Sequence, residues 1–270
     1  MIQVLPDPET VAAAAATAVV ERAAAAVRES GRFTLALAGG STPQRLYELL
    51  ATAHRAEVPW SRTHLFWGDE RCVPPDHPGS NYGRVRATLL DRVSVRPDAV
   101  HRVRGELPPE RAAADYERRL AAFFERAQPP PGDVGSEGGH DSRREGGSEG
   151  GSVAVSDLPR PTLDLVLLGM GEDGHTASLV PGQVEPDDPR WARAVRAPAG
   201  VAPRDRVTLT LRALNAADHA IFLVTGRSKR AVMDRVRAAA AGEAVDALPP
   251  AARVRTRTRP LWLVDRHAAG

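Results

Sequence analysis

The sequence predicts an α/β fold: a mostly parallel, Rossmann-like sheet with helices on both faces, in a single domain. Three observations predict it. Short apolar runs at residues 33–38, 63–67, 163–168, 207–211, 220–224 and 261–264 alternate with helix-type segments, and such alternation implies crossover connections and a parallel sheet covered by helices. Several runs stop at glycine or at charged residues, where open α/β sheets place ligand loops. The 270 residues are 42% hydrophobic, enough to bury a core beneath such a sheet.

The elements follow in order. Asp7 as N-cap, Pro8 in the first turn and a stop at Gly31 make residues 8–30 a helix. The strand over 33–38 runs into Gly39-Gly40-Ser41-Thr42, and Pro43 opens the next helix. A second strand at 63–67 precedes a loop over 68–79 and a helix over 81–90; Pro108 begins another helix that reaches residue 127. Strands at 163–168, 207–211 and 220–224, a helix over 229–241 and a last strand at 261–264 complete the chain. Residues 129–152 differ: Pro129-Pro130-Pro131 precedes two copies of Gly-Ser-Glu-Gly-Gly, at 135–139 and 147–151. Such composition cannot offset its own ordering entropy, so the segment is expected to be a flexible insertion within one domain, with His140 solvated.

Composition excludes several functions. A formal charge of +2 argues against a polyanion binder. Arg253, Arg255, Arg257 and Arg259 lack interleaved aromatics and read as a solvated face rather than a nucleic-acid stripe. No apolar run is read as reaching the ~18 residues of a membrane span, and the amino-terminal stretch is not a targeting peptide. The single cysteine, Cys72, excludes an intramolecular disulfide framework, fits a reducing cytosol, and reads as a small filler rather than a nucleophile. Neither nucleic acid nor membrane is expected as a partner, and a monomer or weak homodimer in the cytoplasm is expected.

The most informative stretch joins the apolar run at 163–168 to Gly169-Met170-Gly171-Glu172-Asp173-Gly174-His175. Glycines permit sharp bends and close approach to a ligand. Histidine is the side-chain type suited to taking a proton from water at cellular pH, and Asp173 is placed to orient the ring of His175. The same string also reads as a glycine-rich strand-to-helix turn with a capping Asp and an exposed His. Gly39, Gly40, Ser41 and Thr42 form a turn whose free backbone N–H groups and helix dipole suit a phosphate, although the two hydroxyls also serve as ordinary caps. Lys229 is the only lysine among the 36 basic residues, which marks a position served by a compact ammonium. Arg206 is placed to reach the same anion. Arg71 is suited to a phosphate or a carbonyl oxygen, with Glu70 as its ion-pair partner, and Asn81 either contacts a sugar hydroxyl or begins its helix.

Five blocks in one order resemble the 6-phosphogluconolactonase family: Ala38-Gly39-Gly40-Ser41-Thr42-Pro43; Gly68-Asp69-Glu70-Arg71-Cys72-Val73-Pro74 with Ser80-Asn81; Gly169 through Leu179; Arg206-Val207-Thr208-Leu209-Thr210; and Phe222-Leu223-Val224-Thr225-Gly226 leading to Lys229. The resemblance implies hydrolysis of 6-phosphogluconolactone to 6-phosphogluconate in the oxidative pentose phosphate pathway, a small sugar-phosphate substrate, no metal and no cofactor. It casts His175 and Asp173 as catalytic residues, and Gly39, Gly40, Ser41, Thr42, Glu70, Arg71, Asn81, Arg206 and Lys229 as substrate-binding ones. Two departures stand out. Val180 replaces the usual phenylalanine before Pro181, and the Lys-Pro-Pro common before the Arg-Val-Thr-Leu-Thr block is missing, which leaves Arg204 as a candidate stand-in. The alternatives are a deaminase similar to the glucosamine-6-phosphate enzymes, disfavoured because Thr176-Ala177-Ser178-Leu179 supplies no carboxylate, and a non-catalytic sugar-phosphate sensor.

Overall fold

The computed structural model describes residues 1–126, 161–245 and 247–270; the insertion at 129–152 and His140 lie outside them. Nine strands and seven α-helices are present among the described residues. In chain order they are β1 (Ile2–Leu5), α1 (Pro8–Ser30), β2 (Phe33–Leu37), α2 (Thr42–Ala51), β3 (Thr63–Trp67), β4 (Asp69–Arg71), α3 (Asn81–Thr88) and α4 (Pro109–Arg126), then β5 (Leu165–Gly169), β6 (Ala192–Arg196), β7 (Asp205–Leu209), α5 (Leu211–Ala216), β8 (His219–Val224), α6 (Arg230–Ala240), β9 (Leu261–Asp265) and α7 (Arg266–Ala269).

Six strands form one parallel sheet in the order β1-β9-β8-β5-β2-β3. Its central strands β2, β5 and β8 are almost wholly buried, and helices flank it, as continuous apolar runs require. From β2 the chain builds outward to β3 on one side, and from β5 through β8 to β9 on the other. The connections therefore diverge between β2 and β5, and a crevice opens at their carboxyl ends.

The sequence expectation needs three corrections. β7 does not continue the parallel sheet; it lies at the centre of a separate antiparallel sheet, β4-β7-β6. The expected loop after β3 contains β4, a strand of three residues, and β1 and β6 were not foreseen. The helix α1 is long and apolar enough, by length and composition, to cross a membrane. Its Val11, Ala12, Ala15, Ala16, Val19, Ala23 and Ala26 form a buried face, packed against β2, β8 and β9.

Two tyrosines fix the points at which chain leaves the sheet for the crevice. Tyr47 of α2 donates its hydroxyl to Ala38 O (2.7 Å) and accepts from Ala38 N–H (3.0 Å), just beyond β2. Tyr116 of α4 does the same for Trp67 at the end of β3, donating to its O and accepting from its N–H, each at 2.9 Å. Both phenols are buried, and burial raises their pKa. Each satisfies a backbone donor and acceptor that the sheet can no longer pair. Immediately after Trp67, Gly68 donates to Leu37 O (2.9 Å) and accepts from Leu209 N–H (2.8 Å), so one residue joins the two sheets.

Tyr47→Phe and Tyr116→Phe are each expected to destabilise the protein by about 1–3 kcal/mol, the cost of leaving buried backbone groups unpaired. The check is the urea midpoint at constant m-value; an unchanged midpoint would show that these hydroxyls do not set the strand ends.

Candidate active site

The crevice at the carboxyl ends of β2, β3, β5 and β8 holds a cleft of about 390 Å³. Each strand sends its own loop into the wall: Gly39 to Pro43 after β2, Gly68, Asp69 and Arg71 after β3, Met170 to Glu172 and His175 after β5, and Thr225, Ser228 and Lys229 after β8. Arg206 enters from β7. Beyond His175 the cleft continues into a second compartment walled by Val180, Ala197, Pro198 and Val201 and sharing Arg71, His175, Arg206 and Lys229. His175 and Lys229 thus share one cleft.

The imidazole is held by its neighbours. His175 Nδ1 lies 2.7 Å from Asp173 Oδ1, which also accepts the His175 backbone N–H at 3.0 Å. A carboxylate only accepts, so Nδ1 carries a proton, and in the unprotonated ring the lone pair lies on Nε2. Partial burial by itself would raise the Asp173 carboxyl, but the His175 backbone N–H, ring charge and ring N–H together pull it below the usual carboxylate range. Gly171 makes room for the pair: a Cβ there would sit 2.1 Å from His175 Nδ1 and 2.6 Å from Asp173 Oδ1.

Opposite stands a set of cations. Arg71 and Arg206 are directly paired across β4 and β7. Like charges in that position repel, and the proximity shows in Arg206, whose pKa is lowered by burial first and by Arg71 second. Arg71 Nη1 donates to Gly79 O (2.8 Å), and Arg206 donates only weakly, to Pro203 O (3.3 Å) and Ser178 Oγ (3.4 Å). Among the described residues no carboxylate forms an ion pair with Arg71, Arg206 or Lys229. Three cations without an ion-paired carboxylate among the described residues surround one cleft, with Asp69 acting on Arg206 only from beyond Ser178, and such a set suits an anion.

The turn after β2 faces the same space. Ser41 occupies the N-cap of α2 but makes no side-chain cap bond, and Thr42 Oγ1 instead contacts Thr225 Oγ1 at 3.1 Å, tying two cleft loops together. Pro43 has no N–H and Gln44 N–H donates to Ser41 O at 3.2 Å, so the N–H groups this turn can offer a ligand are those of Gly40, Ser41 and Thr42.

Several residues lie elsewhere. Glu70 is 2% exposed and does not pair with the Arg71 guanidinium. It accepts the backbone N–H groups of Arg71, Asn81 and Tyr82 (each 2.7 Å) and the Ser80 hydroxyl (3.2 Å), so it braces the loop behind Arg71. Burial raises its pKa against the pull of those bonds. Asn81 is likewise buried, donating to Asp69 O (2.9 Å) and Asp69 Oδ1 (3.2 Å), and it lines no part of the cleft. It acts from behind: a Cβ on Gly39 would fall 2.1 Å from Asn81 Oδ1, so glycine lets the turn after β2 rest against it. Arg204 is exposed, donates to Ala197 O at 3.2 Å and stays outside the cleft. Burial pushes the Cys72 thiol up to about 11, which leaves it protonated at neutral pH. Sequence reasoning missed Asp69, Glu172, Ser178 and Thr225 as cleft residues; Asp69 was visible in the charged triplet at the end of β3, and Ser178 stands three positions after His175.

The family model for glucosamine-6-phosphate isomerases/6-phosphogluconolactonase matches residues 6–262. A 6-phosphogluconolactonase from a Nostoc species is 36% identical, covering 99% of this chain and 96% of its own. The chain belongs to the 6-phosphogluconolactonase family. Another relative, the 6-phosphogluconolactonase of Rattus norvegicus, is 36% identical, covering all of this chain and 92% of its own. The solved 6-phosphogluconolactonase of Thermotoga maritima has a TM-score of 0.76 at 27% identity, covering 98% of this chain and 99% of its own. Within the 6-phosphogluconolactonase family this chain is thus matched along nearly its full length, including every loop that lines the cleft.

An anion that binds the cation set should stabilise the fold: inorganic phosphate at a hundred times its dissociation constant is expected to add about 2.7 kcal/mol, read as a rise in Tm, and the rise should shrink in Arg206→Met. An equal rise in both proteins would place the anion elsewhere.

Proposed function

We propose that this chain hydrolyses 6-phospho-D-glucono-1,5-lactone to 6-phospho-D-gluconate, with His175 as the base that activates water. One observation carries the reading: an imidazole backed by a carboxylate shares a single cleft with three cations that have no ion-paired carboxylate among the described residues. Arg206, Lys229 and the N–H groups of the turn at Gly40, Ser41 and Thr42 hold the phosphate, which fixes the lactone at its far end and brings the carbonyl carbon to the imidazole.

The chemistry follows from that placement. Nε2 of His175 takes a proton from water while the water oxygen bonds to the lactone carbonyl carbon, and Asp173 stabilises the imidazolium that forms. Charge develops on the carbonyl oxygen, where Arg71 and the N–H groups of the glycine loop are suited to receive it. Collapse breaks the bond from that carbon to the ring oxygen, and the imidazolium returns its proton to the departing oxygen. The leaving group stays tethered, and the ordinary balance of ester hydrolysis is met without a redox step.

The deaminase alternative is disfavoured because the residues after His175 are Thr176, Ala177, Ser178 and Leu179, none of them a carboxylate. Residues 129–152 are taken as a spacer within one domain, on the strength of family blocks that continue on both sides. The protein is proposed to work in the cytoplasm of its cell as a monomer or weak homodimer, without nucleic acid or membrane; its single cysteine and near-balanced charge support this.

Purified protein mixed with freshly made lactone should release acid well above the spontaneous rate, followed in a weakly buffered solution with a pH indicator. His175→Ala should lower kcat by about 10² or more with little change in KM, and Asp173→Asn should lower kcat in the same sense. Lys229→Ala should instead raise KM about 10-fold or more, the loss of one charge-assisted contact. A near-normal rate in His175→Ala would remove this base from the mechanism.

A further inference from the structure

The loop that carries His175 is fastened to the antiparallel sheet at Ser178. The Ser178 backbone N–H donates to Thr208 Oγ1 (3.2 Å), and its hydroxyl donates to Asp69 Oδ2 (2.6 Å). Ser178, Asp69 and Thr208 are all buried. Between His175 and Ser178 the chain reverses in a turn closed by Leu179 N–H to Thr176 O (2.9 Å), with Ala177 at φ 48°. Alanine disfavours that left-handed conformation, so the bonds of the turn impose it. Ser178 follows Ala177 inside the turn, and its two bonds to the antiparallel sheet hold it there.

The direction of the serine proton matters. A carboxylate can only accept, so the one hydroxyl proton of Ser178 goes to Asp69. The serine oxygen then presents lone pairs, and Arg206 Nη1 donates to it at 3.4 Å. Among the described residues this is the only side-chain acceptor bonded to the Arg206 guanidinium; its other bond runs to the backbone oxygen of Pro203. Asp69 is itself held by Asn81 Nδ2 on Oδ1, which leaves Oδ2 for the serine.

We infer that Ser178, oriented by Asp69, is a positioning residue for Arg206. It sets where the guanidinium stands relative to the His175 imidazole, because the same loop carries both the base and the acceptor that steadies the cation. The chain of contacts Asn81–Asp69–Ser178–Arg206 turns a buried polar network into a fixed spacing between the two ends of the substrate site. The inference rests on the proposed lactone hydrolysis, with Arg206 at the phosphate end.

The test compares 6-phosphogluconolactone with unphosphorylated gluconolactone and adds calorimetric titration with 6-phosphogluconate. Ser178→Ala should raise KM for the phosphorylated lactone about 10-fold while kcat falls much less, the size of effect expected for a weakened contact to a charged group. The loss in kcat/KM on unphosphorylated lactone should be several-fold smaller. Asp69→Asn gives a second variant: its amide oxygen stays with Asn81, its nitrogen faces Ser178, and the serine proton turns toward Arg206, so the same selective loss is expected. In an Arg206→Met background, Ser178→Ala should add little further. Equal losses on both lactones, or full additivity with Arg206→Met, would overturn the inference. If the unaltered protein hydrolyses neither lactone, the proposed function fails, and titration alone decides the role of Ser178: weaker 6-phosphogluconate binding that is not additive with Arg206→Met supports it, and unchanged binding overturns it.

Discussion

Two arginines set directly opposite each other on neighbouring strands, with no carboxylate ion-paired to either among the described residues, are the constraint around which this molecule is arranged. Arg71 and Arg206 repel across the β4–β7 pair, and burial weakens the solvent screening that would make such a pair tolerable. Some arginines elsewhere are ion-paired, as Arg104 is with Asp115 and Arg190 with Asp188. Arg71 and Arg206 stand side by side without such a partner among the described residues, and they stand over the cleft. A charge of this kind, braced from behind by Glu70 and Asp69 through hydrogen bonds rather than ion pairs, is suited to an anion from solution, which is the role proposed for it.

The rest of the architecture delivers chemistry to that charge. The parallel sheet diverges between β2 and β5, and the loops from both ends, with those of β3 and β8, meet above the gap. Tyr47 and Tyr116 end the hydrogen-bonded ladder at Ala38 and Trp67 without leaving unpaired backbone groups. Gly68 then carries the chain into the second sheet, which brings the arginines over the crevice. The imidazole comes from the parallel sheet and the arginines from the antiparallel one, so the spacing between them depends on how the two sheets are joined. Gly68 joins them through the backbone, and Ser178 through side chains.

Much of this was legible in the sequence, and the failures have physical causes. The long apolar strands and the helix over Pro8–Ser30 announced themselves by period and caps. β4 and β6 did not: Asp69–Arg71 is short and charged, and Ala192–Arg196 alternates alanine and valine with arginine. Both become strands only because β7 lies between them, a pairing between distant segments that local pattern does not encode. The motif residues His175, Asp173, Arg71, Arg206 and Lys229 meet at one cleft. The family resemblance implies substrate contacts at Glu70 and Asn81, and the charged triplet at the end of β3 is not needed for packing, while Asn81 also reads as the start of its helix, where the structure has it. Glu70 turns inward because the loop behind Arg71 brings several backbone N–H groups together, and only a buried acceptor satisfies them, whereas Asn81 turns inward to donate its amide to Asp69.

The most direct measurement is a crystal structure of the protein with 6-phosphogluconate, whose two ends report on the two halves of the cleft. The account predicts the phosphate among Arg206, Lys229 and the turn at Ser41, with the carboxylate of the same molecule within hydrogen-bond distance of His175 Nε2. A phosphate bound away from these cations, or a carboxylate pointing away from the imidazole while the phosphate is correctly held, would contradict it.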